Sequence, residues 1–169
     1  MTARIVNLTR HYADGFELKD ELSISEKVRL MKDRPPAGLV RVAWECDGKN
    51  FELSALNPKR GDQPLSVSLL PDASGLICFE RNRMANNAYI LDPDGKMRYR
   101  LVVPWELTGR DIPATSEMWF SHVAVHEDGE FGLNAWIEGT GSGGYSEGDW
   151  YFELDYRTGR FLWGKEIRI

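Results

Sequence analysis

The sequence predicts a mainly β protein, made of antiparallel hairpins that form twisted, stacked sheets, with one short helix near the N-terminus. Two observations carry that prediction. A hairpin pattern occurs twice, at Asn87-Ala-Tyr-Ile-Leu-Asp-Pro-Asp-Gly-Lys-Met-Arg-Tyr-Arg-Leu101 and at Asp149-Trp-Tyr-Phe-Glu-Leu-Asp-Tyr-Arg-Thr-Gly-Arg-Phe-Leu-Trp163. Each copy is an aromatic-rich strand, then Leu-Asp, a Gly-containing turn and a second alternating strand, the period-two pattern of a half-buried sheet. Asp47-Gly48 also stands directly between two apolar alternating runs, and this dipeptide tolerates the positive φ angles of a two-residue hairpin turn.

The elements follow in order. Ile5, Val6 and Leu8 suggest a short strand, and Asp14-Gly15 a turn. Leu22 and Ile24 alternate as in a strand, while Ile24, Val28 and Met31 also fit one helical face with Ser23 or Ser25 as N-cap; a short helix or helix-like turn is the favoured of the two. Pro35-Pro36 ends it. Strands are expected at 39–45, 51–56, 65–70 and 76–81, with a polar loop at 57–64 and a turn at 71–75. Residues 104–118 are irregular, interrupted by Pro104, Gly109 and Pro113. Strands at 119–125 and 131–138 flank the turn Glu127-Asp-Gly-Glu130, and the Gly-rich stretch 139–148 leads to the last hairpin.

Residues 67–101 and 122–169 share one plan: strand, turn, strand, loop, strand, Leu-Asp turn, strand. Residues 39–70 read as a degenerate earlier copy, because Phe51-Glu-Leu53 echoes Phe152-Glu-Leu154. Four strands per unit resembles the blades of a β-propeller. A propeller needs about four blades to close, and this chain has room for two to three. A half-propeller-like stack or a β-sandwich is therefore expected, with exposed sheet edges. The whole chain, 1–169, is expected to be one domain, with 1–34 as an N-terminal segment covering an edge and 35–169 as the hairpin region.

Composition narrows the class. The 169 residues include six Trp, six Tyr and seven Phe, enough large apolar area for a core. No apolar run of membrane-spanning length and no secretion signal is present, so the cytosol is the expected compartment. Cys46 and Cys78 lie in apolar strand runs, where a free cysteine behaves as a small hydrophobe. Net charge is −5, which disfavours nucleic acid and attracts a basic partner. The pairs Arg81/Arg83 and Arg98/Arg100 read as solvated sheet faces.

Chemical motifs do not converge. His122 and His126 have helical metal-ligand spacing but lie on a strand, which sets their Cα atoms about 13 Å apart; no metal site and no cofactor are expected. Gly139, Gly141 and Gly144 match G-x-G-x-x-G, but that motif needs a following helix to hold a pyrophosphate, and a strand follows here. Ser121 and His122 are adjacent, and neighbours on a regular strand point to opposite faces. Asp92 and Asp94 are explained by their Pro-Asp-Gly turn. No catalytic residues are nominated.

An acidic, hairpin-rich chain with aromatic loops and no convergent catalytic set is similar to the small bacterial immunity proteins of contact-dependent and type VI toxin systems. That resemblance implies a stoichiometric complex with a basic toxin, often a nuclease, and no enzymatic activity. The expected contact residues are Glu127, Asp128, Glu130, Tyr145, Glu147 and Asp149. Two other classes fit the residues: a ligand or carbohydrate binder, or an enzyme, with Trp136, Trp150 or Tyr145 facing solvent beside a carboxylate, and a self-assembling structural subunit using open edges.

Overall fold

The computed structural model describes residues 3–35, 37–54, 66–112, 115–138 and 147–167. It is mainly β, with three antiparallel four-stranded sheets and one α-helix among those residues. The strands are β1 Val6–Tyr12, β2 Glu17–Lys19, β3 Leu39–Cys46, β4 Lys49–Ser54, β5 Ser66–Leu69, β6 Leu76–Phe79, β7 Ala88–Leu91, β8 Met97–Leu101, β9 Met118–Val125, β10 Phe131–Glu138, β11 Glu147–Asp155 and β12 Arg160–Ile167. Helix α1 spans Ile24–Met31, and a 3-10 turn spans Trp105–Thr108. The sheet orders are β2-β1-β3-β4, β5-β6-β7-β8 and β12-β11-β10-β9.

The second and third sheets are the two repeat units expected from the sequence. The first sheet corrects the expected third unit. It is built from residues 6–54 rather than 39–70, because β1 pairs with β3 and β2 pairs with β1. The N-terminal segment thus supplies two strands of a sheet, and β5 belongs to the next one. Long-range pairing of Val6 with Glu45 and of Tyr12 with Leu39 decides this, and local periodicity carries no trace of it.

Turn chemistry fixes the hairpins. Asp47 and Gly48 have φ of 50° and 73°, both positive as a two-residue primed turn requires. Both Leu-Asp turns close on the aspartate carbonyl, which accepts from Gly95 N at 2.9 Å and from Gly159 N at 2.8 Å. Helix α1 starts at a capping box: Ser23 Oγ accepts from Glu26 N at 3.2 Å, and Glu26 Oε2 accepts from Ser23 N at 2.9 Å. The helix buries none of its residues; Ile24 and Val28 stay exposed.

The chain divides into two compact units, Met1–Leu76 with Leu91–Lys96, and Ile77–Ile90 with Met97–Ile169. In the first, alternate residues of β3 point inward: Val42, Trp44 and Cys46 are buried, and Trp44 stacks on Phe51 with ring centroids 6.1 Å apart. The Trp44 indole donates to the Pro93 carbonyl at 2.7 Å. In the second, Leu133, Ala135 and Ile137 of β10 and Phe152 and Leu154 of β11 are buried on one face of the third sheet. Both cysteines are buried free thiols. Among the described residues no helix is long and apolar enough to cross a membrane.

Candidate functional site

Strand alternation gives the outer face of the third sheet a mixture of aromatic, acidic, basic and amide side chains. Leu133, Ala135 and Ile137 point into the core, so Asn134 and Trp136 point out. The ladder then sets their neighbours. Asn134 lies opposite His122 on β9 and Tyr151 on β11, and Tyr151 lies opposite Lys165 on β12. Trp136 lies opposite Trp119 and Asp149.

One end of this face is closed by its own side chains. Tyr151 is buried although its strand position points outward. Its ring lies down over Gly132, where an added Cβ would come within 2.5 Å of Tyr151 Cε2, and its hydroxyl donates to the Glu130 carbonyl at 2.9 Å. His126 and Trp163 cover it, with ring centroids 5.4 and 5.7 Å from the phenol ring. Trp163 Nε1 donates to the Glu153 carboxylate. Burial, reinforced by the charges of Glu153 and Glu130, pushes the Tyr151 phenol up to about 12. A cleft of about 550 Å³ opens beside this cluster, lined in part by His126, Glu127, Asn134, Tyr151 and Lys165.

Ser121 and His122 depart from the expected geometry. Ser121 Oγ is 2.9 Å from His122 Nδ1, although neighbours on a regular strand face opposite ways. The cause is a β-bulge: His122 pairs with Asn134 and Phe120 with Ala135, so Ser121 is the extra residue. Ser121 Oγ also donates to the Asn134 carbonyl at 3.2 Å, and Asn134 Nδ2 lies 2.9 Å from His122 Nε2. The ring of bonds leaves Asn134 Oδ1 buried without a partner.

The expected contact residues divide into two places. Glu127, Asp128 and Glu130 are exposed at the β9–β10 turn, which closes through His126 N to Glu130 O at 2.9 Å. Asp149 sits opposite Trp136, about 20 Å further along β10 at roughly 3.3 Å per residue. Glu147 belongs to β11 opposite Glu138; its side chain and Tyr145, like the glycine motif at 139–144, lie outside the described residues. Asp149 is half-buried, and burial raises its carboxyl above the usual range, against the opposing pull of His122 and the Trp150 backbone. Trp150 is buried, whereas Trp136 stays partly open. The sequence singled out Asp149 and Trp136 separately. Their side-by-side placement comes from strand register, as does the role of Asn134, for which no sequence signal exists.

The first unit carries a second cleft of about 550 Å³ on the outer face of its sheet. Several of its polar groups bond to one another. Arg41 meets Glu52 at 3.1 Å, His11 Nδ1 lies 3.1 Å from Glu17, and Asn7 donates to Glu45 at 2.8 Å. Among the described residues no group of three or more His, Cys, Asp and Glu is placed to hold a metal ion.

No family model matches the chain, and no curated protein matches it in sequence. A chain in a solved structure, described as Tne2 in complex with Tni2, is similar in fold: the TM-score is 0.65 at 13% identity, covering 97% of this chain and 99% of that one.

Proposed function

We propose that this protein is a non-catalytic bacterial immunity protein that neutralises a basic toxin in the cytoplasm, possessing no active site of its own and acting by stoichiometric binding. The observation that carries the reading is the outer face of the third sheet. It presents partly open tryptophan and a desolvated carboxylate at one end and three exposed acids at the other. Its span of about 20 Å fits within one side of a standard protein–protein interface, about 800 Å². Interfaces of this kind place an aromatic anchor centrally and use acidic rim residues for steering. The fold is also shared with a chain from a two-protein complex, which supports a protein partner.

The test is capture of the protein encoded beside this one, using the purified chain as bait. A one-to-one complex that weakens with salt, and weakens further when Glu127, Asp128 and Glu130 are all changed to Lys, is expected. Absence of any complex with that neighbour at low salt would sink the reading.

A second reading has its own observation. Trp136 beside Asp149 is the aromatic–carboxylate pair a carbohydrate site uses. Saturable binding of a neutral oligosaccharide, abolished by Trp136→Ala, would favour it over the immunity role.

A further inference from the structure

The proposed protein–protein role leaves open what the partner presents to the third sheet. Three features at Trp136 converge on one answer. The Asp149 carboxylate stands opposite Trp136, half-buried and without an ion pair among the described residues. Asn134, on the same face two positions along β10, is 9% exposed and keeps an unpartnered Oδ1. Trp136 itself contacts Trp119, ring centroids 6.4 Å apart at 39°. A carboxylate bonded to the Trp150 backbone but to no guanidinium or ammonium among the described residues, and a carboxamide oxygen with no donor, beside a partly open indole, call for a ligand that is cationic, rich in N–H and flat.

The chain contains its own precedent. Arg83 lies over the Trp119 ring at 5.1 Å and reaches the Glu117 carboxylate at 3.6 Å. A guanidinium set over one member of the tryptophan pair and ion-paired with a nearby acid is therefore an arrangement this surface already makes. Trp136 and Asp149 offer the same two elements, with no arginine or lysine on them among the described residues.

We propose that Trp136, Asp149 and Asn134 form a receptor for one arginine side chain of the protein partner. The guanidinium stacks on the Trp136 ring, and its N–H groups donate to the Asp149 carboxylate and, after a small shift of the covered carboxamide, to Asn134 Oδ1. Arginine suits this site better than lysine, because a planar fork of five donors can stack and bond in two directions at once, while an ammonium is a compact, strongly hydrated point charge. Charge complementarity agrees: the chain carries a net −5, and the three exposed acids at the far end of the face would hold the same basic partner in place.

The inference rests on the protein-binding reading, and its test separates the two. The probe is Nα-acetyl-arginine methylamide, titrated into ¹⁵N-labelled full-length protein, with the Trp136 indole and Asn134 side-chain amide signals as readouts. Saturable shifts of both are expected, about tenfold weaker in Asp149→Asn and absent with the uncharged citrulline analogue. Asp149→Asn keeps the size of the side chain, and its unchanged spectrum elsewhere establishes that the fold is intact. Equal responses to the two probes, or equal affinity in Asp149→Asn, would overturn the receptor. A neighbour-encoded partner that binds Asp149→Asn as tightly as the native chain overturns the receptor and leaves the immunity reading standing. Saturation by the arginine probe together with no captured partner overturns the immunity reading and leaves the receptor standing.

Discussion

Asn87 pairs with Phe120 as one strand pairs with another. Its Nδ2 donates to the Phe120 carbonyl at 2.9 Å and its Oδ1 accepts from Phe120 N at 2.8 Å. Phe120 lies on β9, the edge strand of the third sheet, so a single carboxamide occupies part of an edge that would otherwise offer free backbone groups to another chain. Asn87 is 2% exposed. Replacing it by Leu leaves the Phe120 N–H and C=O without partners, at about 1–3 kcal/mol for each buried group. Urea unfolding of Asn87→Leu is expected to show a loss of at least about 2 kcal/mol. A loss below about 0.5 kcal/mol would mean that water replaces the carboxamide.

Gly159 and Gly129 share a positive φ, 73° and 82°, but differ in surroundings. A Cβ at Gly159 would stand 2.7 Å from Tyr99 Cγ, while a Cβ at Gly129 would meet nothing within 4 Å. The Tyr99 hydroxyl also donates to the Arg157 carbonyl at 3.0 Å, holding its ring over the turn. Gly129→Ala should cost only the left-handed backbone strain, about 1–2 kcal/mol. Gly159→Ala should cost about 1–3 kcal/mol more, because the ring must move. Equal melting temperatures for the two variants would contradict the close approach.

Asp149 and Asp20 should respond to pH with opposite signs. Burial raises the Asp149 carboxyl in the folded state. The folded protein then binds the proton more tightly than the unfolded one, so stability falls as pH rises from the unfolded value of about 3.9 through the raised folded value. Asp149→Asn is therefore expected to be more stable than the native chain at neutral pH, while binding its partner less well. Denaturant midpoints at pH 4 and pH 7 measure the difference.

Asp20 is the reverse case. Burial acts to raise it, but the hydrogen bond and charge of Arg10 and the charge of Lys27 outweigh that and hold it below the usual range. Arg10 Nη1 lies 2.6 Å from Asp20 Oδ1, and its other amino group donates to the Val67 carbonyl at 3.0 Å. The stabilisation is present above about pH 3.9 and is lost as pH falls through the lowered folded value. Asp20→Asn should remove that acid-side dependence and lower stability at neutral pH by about 1 kcal/mol, checked by the same midpoints.

Cys78 is fully buried, and burial pushes its thiol up to about 12, only partly offset by its hydrogen bond with Tyr89. It should resist iodoacetamide at pH 8 in the native protein and react once unfolded. Rapid native-state modification, measured by mass spectrometry, would show that β6 opens readily.

The hairpins were legible in the sequence because their information is local. Asp47-Gly48, Leu91-Asp92 and Leu154-Asp155 each sit beside the strands they connect, and the capping box at Ser23 and Glu26 lies within one helical turn. The first sheet was not legible in full. Pairing of β1 with β3 joins residues 27 (Tyr12 with Leu39) to 39 (Val6 with Glu45) apart, and the alternation of β1 is equally compatible with a covering segment. The site was half legible. Acidic and aromatic residues could be named, but which of them share a face depends on register, and one extra residue at Ser121 reverses the parity of β9. Asn134 carries no signal of its own, since its importance lies in an acceptor left over after its neighbours have bonded.

The insertion of β1 between β2 and β3 also bears on the order in which the molecule assembles. The second and third sheets are meanders whose neighbouring strands follow one another in sequence, so each can zip up from a turn with little loop to close. The first cannot, because β3 reaches β1 only after the chain has enclosed β2 and α1. Pairings of high sequence separation form slowly, since the entropy of closing the loop is lost before contacts compensate. In a pulse-labelled refolding experiment, amides of β10 and β11 should therefore be protected before those of β1, and an intermediate with an exposed β3 edge is where aggregation during refolding would begin.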